Sequence, residues 1–196
     1  MPNDSTPPII LASASPRRRA LLEARGLTLT IARPEIDEEP RPGETPAALV
    51  VRLAEEKNAV IPADDETCVI SGDTVVALVE VGVPSILGKP IDAEDARAML
   101  TRLSGTTHSV LSGWCVRRGD RVLSGFVDTE IDFRTLDRDE IDAYVATGEP
   151  LDKAGAYAIQ EQGGALVAAV RGSIDNVVGL PVDEVIAALG ELGAPV

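Results

Sequence analysis

The sequence predicts an α/β protein built on a mixed sheet, and three observations predict it. Short apolar runs alternate with helix-like segments early in the chain, the pattern that produces parallel strands. Later, two long strand-like runs, His108–Val116 and Arg121–Phe133, follow one another across the turn Arg117-Arg118-Gly119-Asp120, which marks a hairpin. Cap-and-proline pairs, Ser15-Pro16 and Thr45-Pro46, announce helix starts between the apolar runs.

The elements follow in order. The first eight residues read as a loose tail, and residues 9–196 as one domain. Ile9–Ala12 suits a buried strand. A helix capped by Ser15 runs through RRRALLEAR and stops at Gly26, and Leu27–Ala32 alternates as a strand. An acidic, proline-rich loop from Pro34 to Pro46 carries Glu35-Ile36-Asp37-Glu38-Glu39. In the helix that Thr45 caps, Val50, Leu53, Ala54 and Lys57 share a face, which predicts an ammonium at the rim of the core. Cys68-Val69-Ile70 and Val75–Val79 read as one strand interrupted by Ser71-Gly72-Asp73-Thr74. Leu87-Gly88-Lys89-Pro90 is a turn, and Asp92 caps the helix AEDARAMLTRL. The helix RDEIDAYVAT ends at Gly148. Ala156–Gln160 and Ala165–Val170 read as a strand pair around Gln162-Gly163-Gly164, and a final helix follows Gly179-Leu180-Pro181.

Composition excludes several functions. With 18 Lys+Arg against 32 Asp+Glu and a net charge of -14, the chain has no general attraction for polyanions, which argues against duplex binding. Aromatics at 3% supply no stacking platform for single strands. Cys68 and Cys115 form no CxxC and no zinc spacing, and read as buried thiols. MPNDSTPP is not a secretory leader, no apolar run has transmembrane length, and the protein reads as cytoplasmic. Any phosphate must therefore be bound by placed cations. The candidates are Arg17-Arg18-Arg19 and the only lysines, Lys57, Lys89 and Lys153.

Several segments could carry chemistry. A strand entering a capped helix at Ser13-Ala14-Ser15-Pro16 exposes first-turn amides that bind anions, with Arg17 and Arg18 beside them; a plain surface helix fits those residues equally well. No GxxxxGK[ST] is present. Asp73, within an apolar run, is either a metal ligand and general base or a bulge residue bonding nearby amides. Glu35–Glu39 offers carboxylates to a hard cation such as Mg²⁺, or is a solvated charge run. Lys89 sits on a constrained turn that suits a phosphate or a plain surface loop equally well. Lys153 has Asp152 or Glu149 as alternative partners, and the Gln160 amide could read a base edge. His108, the only histidine, reads as structural, and no G-x-S-x-G elbow is present.

Taken together, LASASPRR, EIDE, SGDTVV, LGKP, RLSGTTHSV, GEPLDKAGAYAIQ and GSIDNVVGLP occur in an order that resembles the Maf family of nucleotide pyrophosphatases, from Ile9 to about Leu189. DKAGAYAIQ and NVVGLP resemble the branch acting on dTTP and UTP; the branch acting on 7-methyl-GTP differs at DKAGAY. Two departures are visible. Ser71-Gly72 stands where small residues such as Ala-Ala are common, and EQGG varies a more usual Gln-Gly stretch. The resemblance implies an elongated, twisted mixed sheet flanked by helices, with two lobes around a central cleft, as in Maf and ITPase-like proteins. It implies hydrolysis of dTTP, UTP and modified pyrimidine nucleotides to the monophosphate and pyrophosphate. Asp73 would be the proton acceptor, Arg17, Thr74 and Gln160 would set substrate preference, and Ser13, Arg18, Glu38, Lys57 and Lys89 would line the cleft. Mg²⁺ or Mn²⁺ at Glu38 and Asp73 is implied, as is a homodimer. The alternatives are a nucleotide-binding regulator of cell division and a 7-methyl-GTP pyrophosphatase.

Overall fold

The computed structural model describes residues 7–80 and 82–194, the side chain of Val83 excepted. Most of the expected N-terminal tail, residues 1–6, lies outside the described residues. The apolar run Ile9–Ala12 forms strand β1, and its position explains its composition. It pairs in parallel with β2 (Leu29–Ala32) on one side and with β3 (Cys68–Glu80) on the other, in the registers Ile9↔Leu29 and Ile9↔Cys68. A parallel strand between two neighbours is covered on both faces and has little use for polar residues.

Helix α1 (Pro16–Glu23) links β1 to β2; the Ser15 Oγ accepts from the Arg18 amide at 3.4 Å. It ends three residues before Gly26, and the strand after it starts two residues later than Leu27. Helix α2 (Pro46–Ala59) begins where Thr45 and Pro46 predict, with Thr45 Oγ1 accepting from the Ala48 amide at 3.2 Å. Next come β4 (Val83–Leu87), which the sequence reading missed, and α3 (Ala93–Leu103), capped by Asp92. The expected hairpin strands are β5 (Thr107–Arg118) and β6 (Arg121–Phe133). Helix α4 (Arg138–Ala146) has a full capping box from Asp137 and Glu140. Strand β7 (Val167–Arg171), a short α5 (Ile174–Val178) and α6 (Val182–Glu191) complete the chain. The strands form one seven-stranded sheet in the order β2-β1-β3-β5-β6-β7, with β4 pairing β3 off this path. It is mixed, because β3–β4 and β6–β7 are antiparallel.

Two expectations are corrected. Ser71-Gly72-Asp73-Thr74 does not interrupt its strand, since β3 runs unbroken from Cys68 to Glu80. The polar side chains at 71 and 73 find partners on α2, so the backbone ladder continues past them. Ala156–Gln160 and Ala165–Val170 are not a strand pair. The stretch holds 3-10 turns at Glu149–Asp152, Ala154–Ala156 and Gln162–Leu166, and β7 pairs with β6 instead, Ile131↔Val170. Gly155 and Ala156 both take left-handed φ values, 67° and 61°, which turns the chain. The Glu149 carboxylate accepts from the amides of Gln162 (3.1 Å) and Gly163 (3.0 Å), satisfying them in a turn.

The chain divides into two compact units, one comprising the chain up to Asp73, Ser112–Val127 and the chain from Gly179, the other Thr74–Leu111 and Asp128–Val178. The first has an aliphatic core around Leu11, Leu22, Ile70, Val116, Leu180 and Leu189. The second packs Val76, Leu100, Leu103, Ile131, Phe133 and Tyr157. Among the described residues, no helix is long and apolar enough to cross a membrane.

Candidate active site

The site begins where α2 meets β3. The helix lies close on the sheet because Gly113 of β5 has no side chain; a Cβ there would sit 2.1 Å from the Val50 carbonyl oxygen. Val50 and Ala54 are fully buried by this approach, and Lys57, one turn further along, is carried inward with them. Lys57 is 6% exposed, so its ammonium does not emerge at a rim as its place in the apolar stripe predicted. Burying a cation requires partners. Nζ donates to Asp73 Oδ1 at 2.7 Å and lies 2.9 Å from Glu38 Oε1.

Asp73 is 7% exposed, midway along β3. Glu38 arrives from the acidic loop, and that loop is not simply a solvated charge run. Arg52 of α2 donates to both oxygens of Glu44, at 2.6 and 2.8 Å, and to the Glu39 carbonyl at 3.1 Å. Its bonds hold the Glu44 carboxyl down at about 2. Thus α2 supplies the ammonium and also anchors the loop that brings Glu38 to it.

Arg18 approaches from α1. Its Nε donates to the Gly179 carbonyl at 2.8 Å, and its Nη1 to Ser13 Oγ at 3.3 Å. Burial pushes its pKa down, and the Asp73 carboxylate is the main opposing influence, which places the two charges within range of one another. Ser13 is 5% exposed and also accepts from the Ser15 amide at 3.1 Å. The departure at Ser71-Gly72 acquires a reason here. A Cβ on Gly72 would meet the Gly113 oxygen and Leu180 Cδ1 at 2.9 Å and lie 3.7 Å from Arg18 Nε.

The first unit therefore joins Ser13 to Arg18 and Asp73 to Lys57 and Glu38 by direct contacts, with Arg18 in electrostatic range of Asp73. Arg17 lies half-buried beside them on α1. A pocket of about 260 Å³ opens at the same helix start, lined by Ser13, Ser15, Arg19, Ile31 and Arg33. Sequence reading passed over Arg33, Arg52 and Asn58, since an isolated polar residue next to a strand or within a helix carries no motif.

The second unit holds the other predicted residues. Thr74 is half-buried on β3, and Lys89 is exposed just after β4. Gln160 is exposed in a turn, which corrects its expected place in a strand. The segment around it is tied down: the Gly155 amide donates to the Gly88 carbonyl at 3.0 Å, beside Lys89. Lys153 is buried and paired with Asp152, the structural alternative weighed for it. His108 Nε2 and the Tyr157 hydroxyl share a hydrogen bond of 2.9 Å, and the imidazole packs edge-on against Phe133. Burial lowers the His108 pKa to about 4. Both cysteines are buried free thiols, and burial pushes Cys115 up to about 12, far from a reactive thiolate.

Glu38 and Asp73 are two carboxylates brought to the same place, where both contact the Lys57 ammonium. Mg²⁺ and Mn²⁺ favour such a donor set, taking one or two carboxylates and filling the remaining positions with water and phosphate oxygens. The two residues fit the implied metal by donor type, and no group of three His, Cys, Asp or Glu suited to a metal occurs among the described residues.

Comparison with known proteins identifies the family. Residues 8–192 match the family model for Maf-like protein. The chain belongs to the Maf family. The dTTP/UTP pyrophosphatase of Anaeromyxobacter dehalogenans (strain 2CP-C) is 51% identical over 193 residues, covering 96% of each chain. That of Myxococcus xanthus is 49% identical, covering 95% of this Maf chain and 93% of its own. That of Geobacter sulfurreducens is 46% identical, covering 95% and 97%. A solved nucleoside-triphosphatase / dITP/XTP pyrophosphatase from Mycobacterium abscessus aligns with 71% of this chain and 94% of its own at 15% identity and a TM-score of 0.40, too distant a likeness to argue from.

Proposed function

We propose that this Maf protein hydrolyses dTTP and UTP to the nucleoside monophosphate and pyrophosphate. The observation that carries the chemistry is the junction of Glu38, Lys57 and Asp73, with Arg18 in electrostatic range. The substrate rests on relatives up to 51% identical over nearly the whole chain that carry the name dTTP/UTP pyrophosphatase.

In the proposed reaction, a water oxygen attacks the α-phosphorus and the bridging oxygen to the β-phosphorus leaves with pyrophosphate. Asp73 accepts the water's proton; Lys57 engages its Oδ1, which leaves Oδ2 for that task. Lys57 and Arg18 offset charge developing on the phosphoryl oxygens, from positions already paid for by the fold. Glu38 and Asp73 are the residues that would hold a divalent cation, which supplies Lewis-acid stabilisation of phosphoryl oxygens. Ser13 and Arg17 bind the nucleotide at the start of α1. For Thr74, Lys89 and Gln160 the family resemblance alone supports a role in binding and choosing the substrate. We place the protein in the cytoplasm, where nucleoside triphosphates are made and thiols stay reduced, acting without nucleic acid or membrane and as a homodimer.

The test is a panel of nucleoside triphosphates, including dTTP, UTP and 7-methyl-GTP, incubated with purified protein and Mn²⁺. Turnover of dTTP and UTP is expected to dominate. Asp73→Asn should fold and lose about 10²–10⁴-fold in kcat. Preferential turnover of 7-methyl-GTP, binding of dTTP without hydrolysis, or a fully active Asp73→Asn would contradict the reading.

A further inference from the structure

Outside the charged cluster, α2 is fastened to the sheet by buried hydrogen bonds that the reaction does not use. Ser71 is fully buried on β3, and its hydroxyl donates to the Ala54 carbonyl of α2 at 2.6 Å. Asn58 is 1% exposed, and its amide nitrogen donates to the Val69 carbonyl at 2.8 Å and the Cys115 carbonyl at 3.2 Å. One helix side chain thereby bridges two neighbouring strands, β3 and β5. Its oxygen accepts from Arg117 Nε at 3.0 Å, and Arg117 Nη2 donates to the Asn58 carbonyl at 3.4 Å and to the Ile61 carbonyl, just past the helix end, at 2.7 Å.

The spacing of these contacts gives them a purpose. Val50, Ala54 and Asn58 follow one another at four-residue intervals, so they form one row along the sheet-facing side of the helix. Against that row stand the bare backbone of Gly113, the Ser71 hydroxyl and the carbonyls of Val69 and Cys115. Apolar contacts alone are non-directional and would tolerate sliding and rotation of a helix. A slip of one residue moves a helix about 1.5 Å along its axis and turns it by about 100°. The hydrogen bonds forbid that slip, because it would leave buried donors and acceptors unpaired. Asn58 adjoins Lys57 in the chain, and Ser71 lies two residues before Asp73 on the same face of β3. The fastening thus acts on both sides of the ion pair.

We propose that Asn58 and Ser71 are positioning residues for the hydrolysis, setting the register of α2 on β3 and β5 so that the Lys57 ammonium meets Asp73. The inference rests on the reading of Lys57 and Asp73 as parts of the reacting site. It is tested by steady-state kinetics with dTTP and Mn²⁺ on the full chain, comparing wild type, Asn58→Ala, Ser71→Ala and Lys57→Met, and each of the first two substitutions combined with Lys57→Met. All are assayed well below their melting temperatures.

Asn58→Ala should lower kcat about 10- to 100-fold, the cost of an ångström-scale misplacement, with KM changed less than about threefold. Ser71→Ala should lower kcat by a smaller factor, and its single lost hydroxyl keeps the test available if Asn58→Ala fails to fold. In the Lys57→Met background neither substitution should lower kcat further, since both act through the missing ammonium. Equal losses in both backgrounds, or full kcat in both folded single variants, would overturn the inference alone. Wild-type kcat in Lys57→Met itself would overturn the site reading and the inference with it.

Discussion

Lys57 is a cation held almost out of water by two carboxylates of unequal kind. Asp73 is buried like its partner, while the Glu38 side chain is 59% exposed. A buried pair of this sort contributes little net stability over an apolar substitute, because desolvation consumes most of the Coulomb energy. What it fixes is the position of the groups, which is what stabilising charge at a reacting centre requires. His108 shows the opposite arrangement, a titratable group kept uncharged. Burial holds it at about 4 against an ordinary 6.5, with Asp132 pulling the other way. Below its ordinary value the unfolded chain takes up a proton that the folded chain refuses, so stability falls as pH drops from about 6.5 to about 4, by roughly 3 kcal/mol in all. Glu44 and Asp132, whose folded values lie at about 2, lose their stabilising contributions only as pH falls below their ordinary 4.5 and 3.8. Urea unfolding between pH 6.5 and 4.5 should therefore show a slope that His108→Phe removes; parallel slopes in the two proteins would contradict this account. His108 was legible as structural because it had no partner in sequence, whereas Asn58 was illegible because its partners, two backbone carbonyls and the distant Arg117, meet it only in the fold.

At the scale of elements, α2 performs two tasks from two sides. One side is fastened to the sheet; the other, through Arg52, grips the acidic loop at Glu39 and Glu44. Residues that orient metal-binding carboxylates without touching the metal commonly influence affinity by about 10- to 100-fold. Arg52→Ala should accordingly raise the Mn²⁺ concentration for half-maximal activity about 10-fold while leaving the fold intact. An unchanged Mn²⁺ dependence would show that Glu38 needs no such anchor. Helix starts were readable because caps and prolines act within a few residues, as at Ser15-Pro16 and Thr45-Pro46. The stretch from Glu149 to Leu166 was not. Its apolar residues Ala156, Tyr157 and Ala158 are buried as a strand's would be, yet left-handed residues and a carboxylate acting across 13 positions fold them into turns. The continuity of β3 was also hidden, because the partners that let Ser71 and Asp73 sit inside a strand come from α2.

At the scale of the molecule, the proposed function has an acidic chain with a net charge of -14 handle an anionic substrate through a few cations whose places are fixed by the fold. Of the cationic segments the sequence offered, Arg18 and Lys57 lie around Asp73, while Lys153 is engaged by Asp152. Charge arithmetic narrowed the candidates without separating these cases, since a lysine's partner depends on tertiary contacts. The family was legible because seven segments kept their order along the chain, each weak by itself. The central claim is water attack at the α-phosphorus, and it is tested most directly by running dTTP hydrolysis in ¹⁸O-enriched water with Mn²⁺ and weighing the products. The account predicts dTMP carrying the heavy oxygen and unlabelled pyrophosphate. Label in pyrophosphate, or orthophosphate and dTDP as the first products, would contradict it.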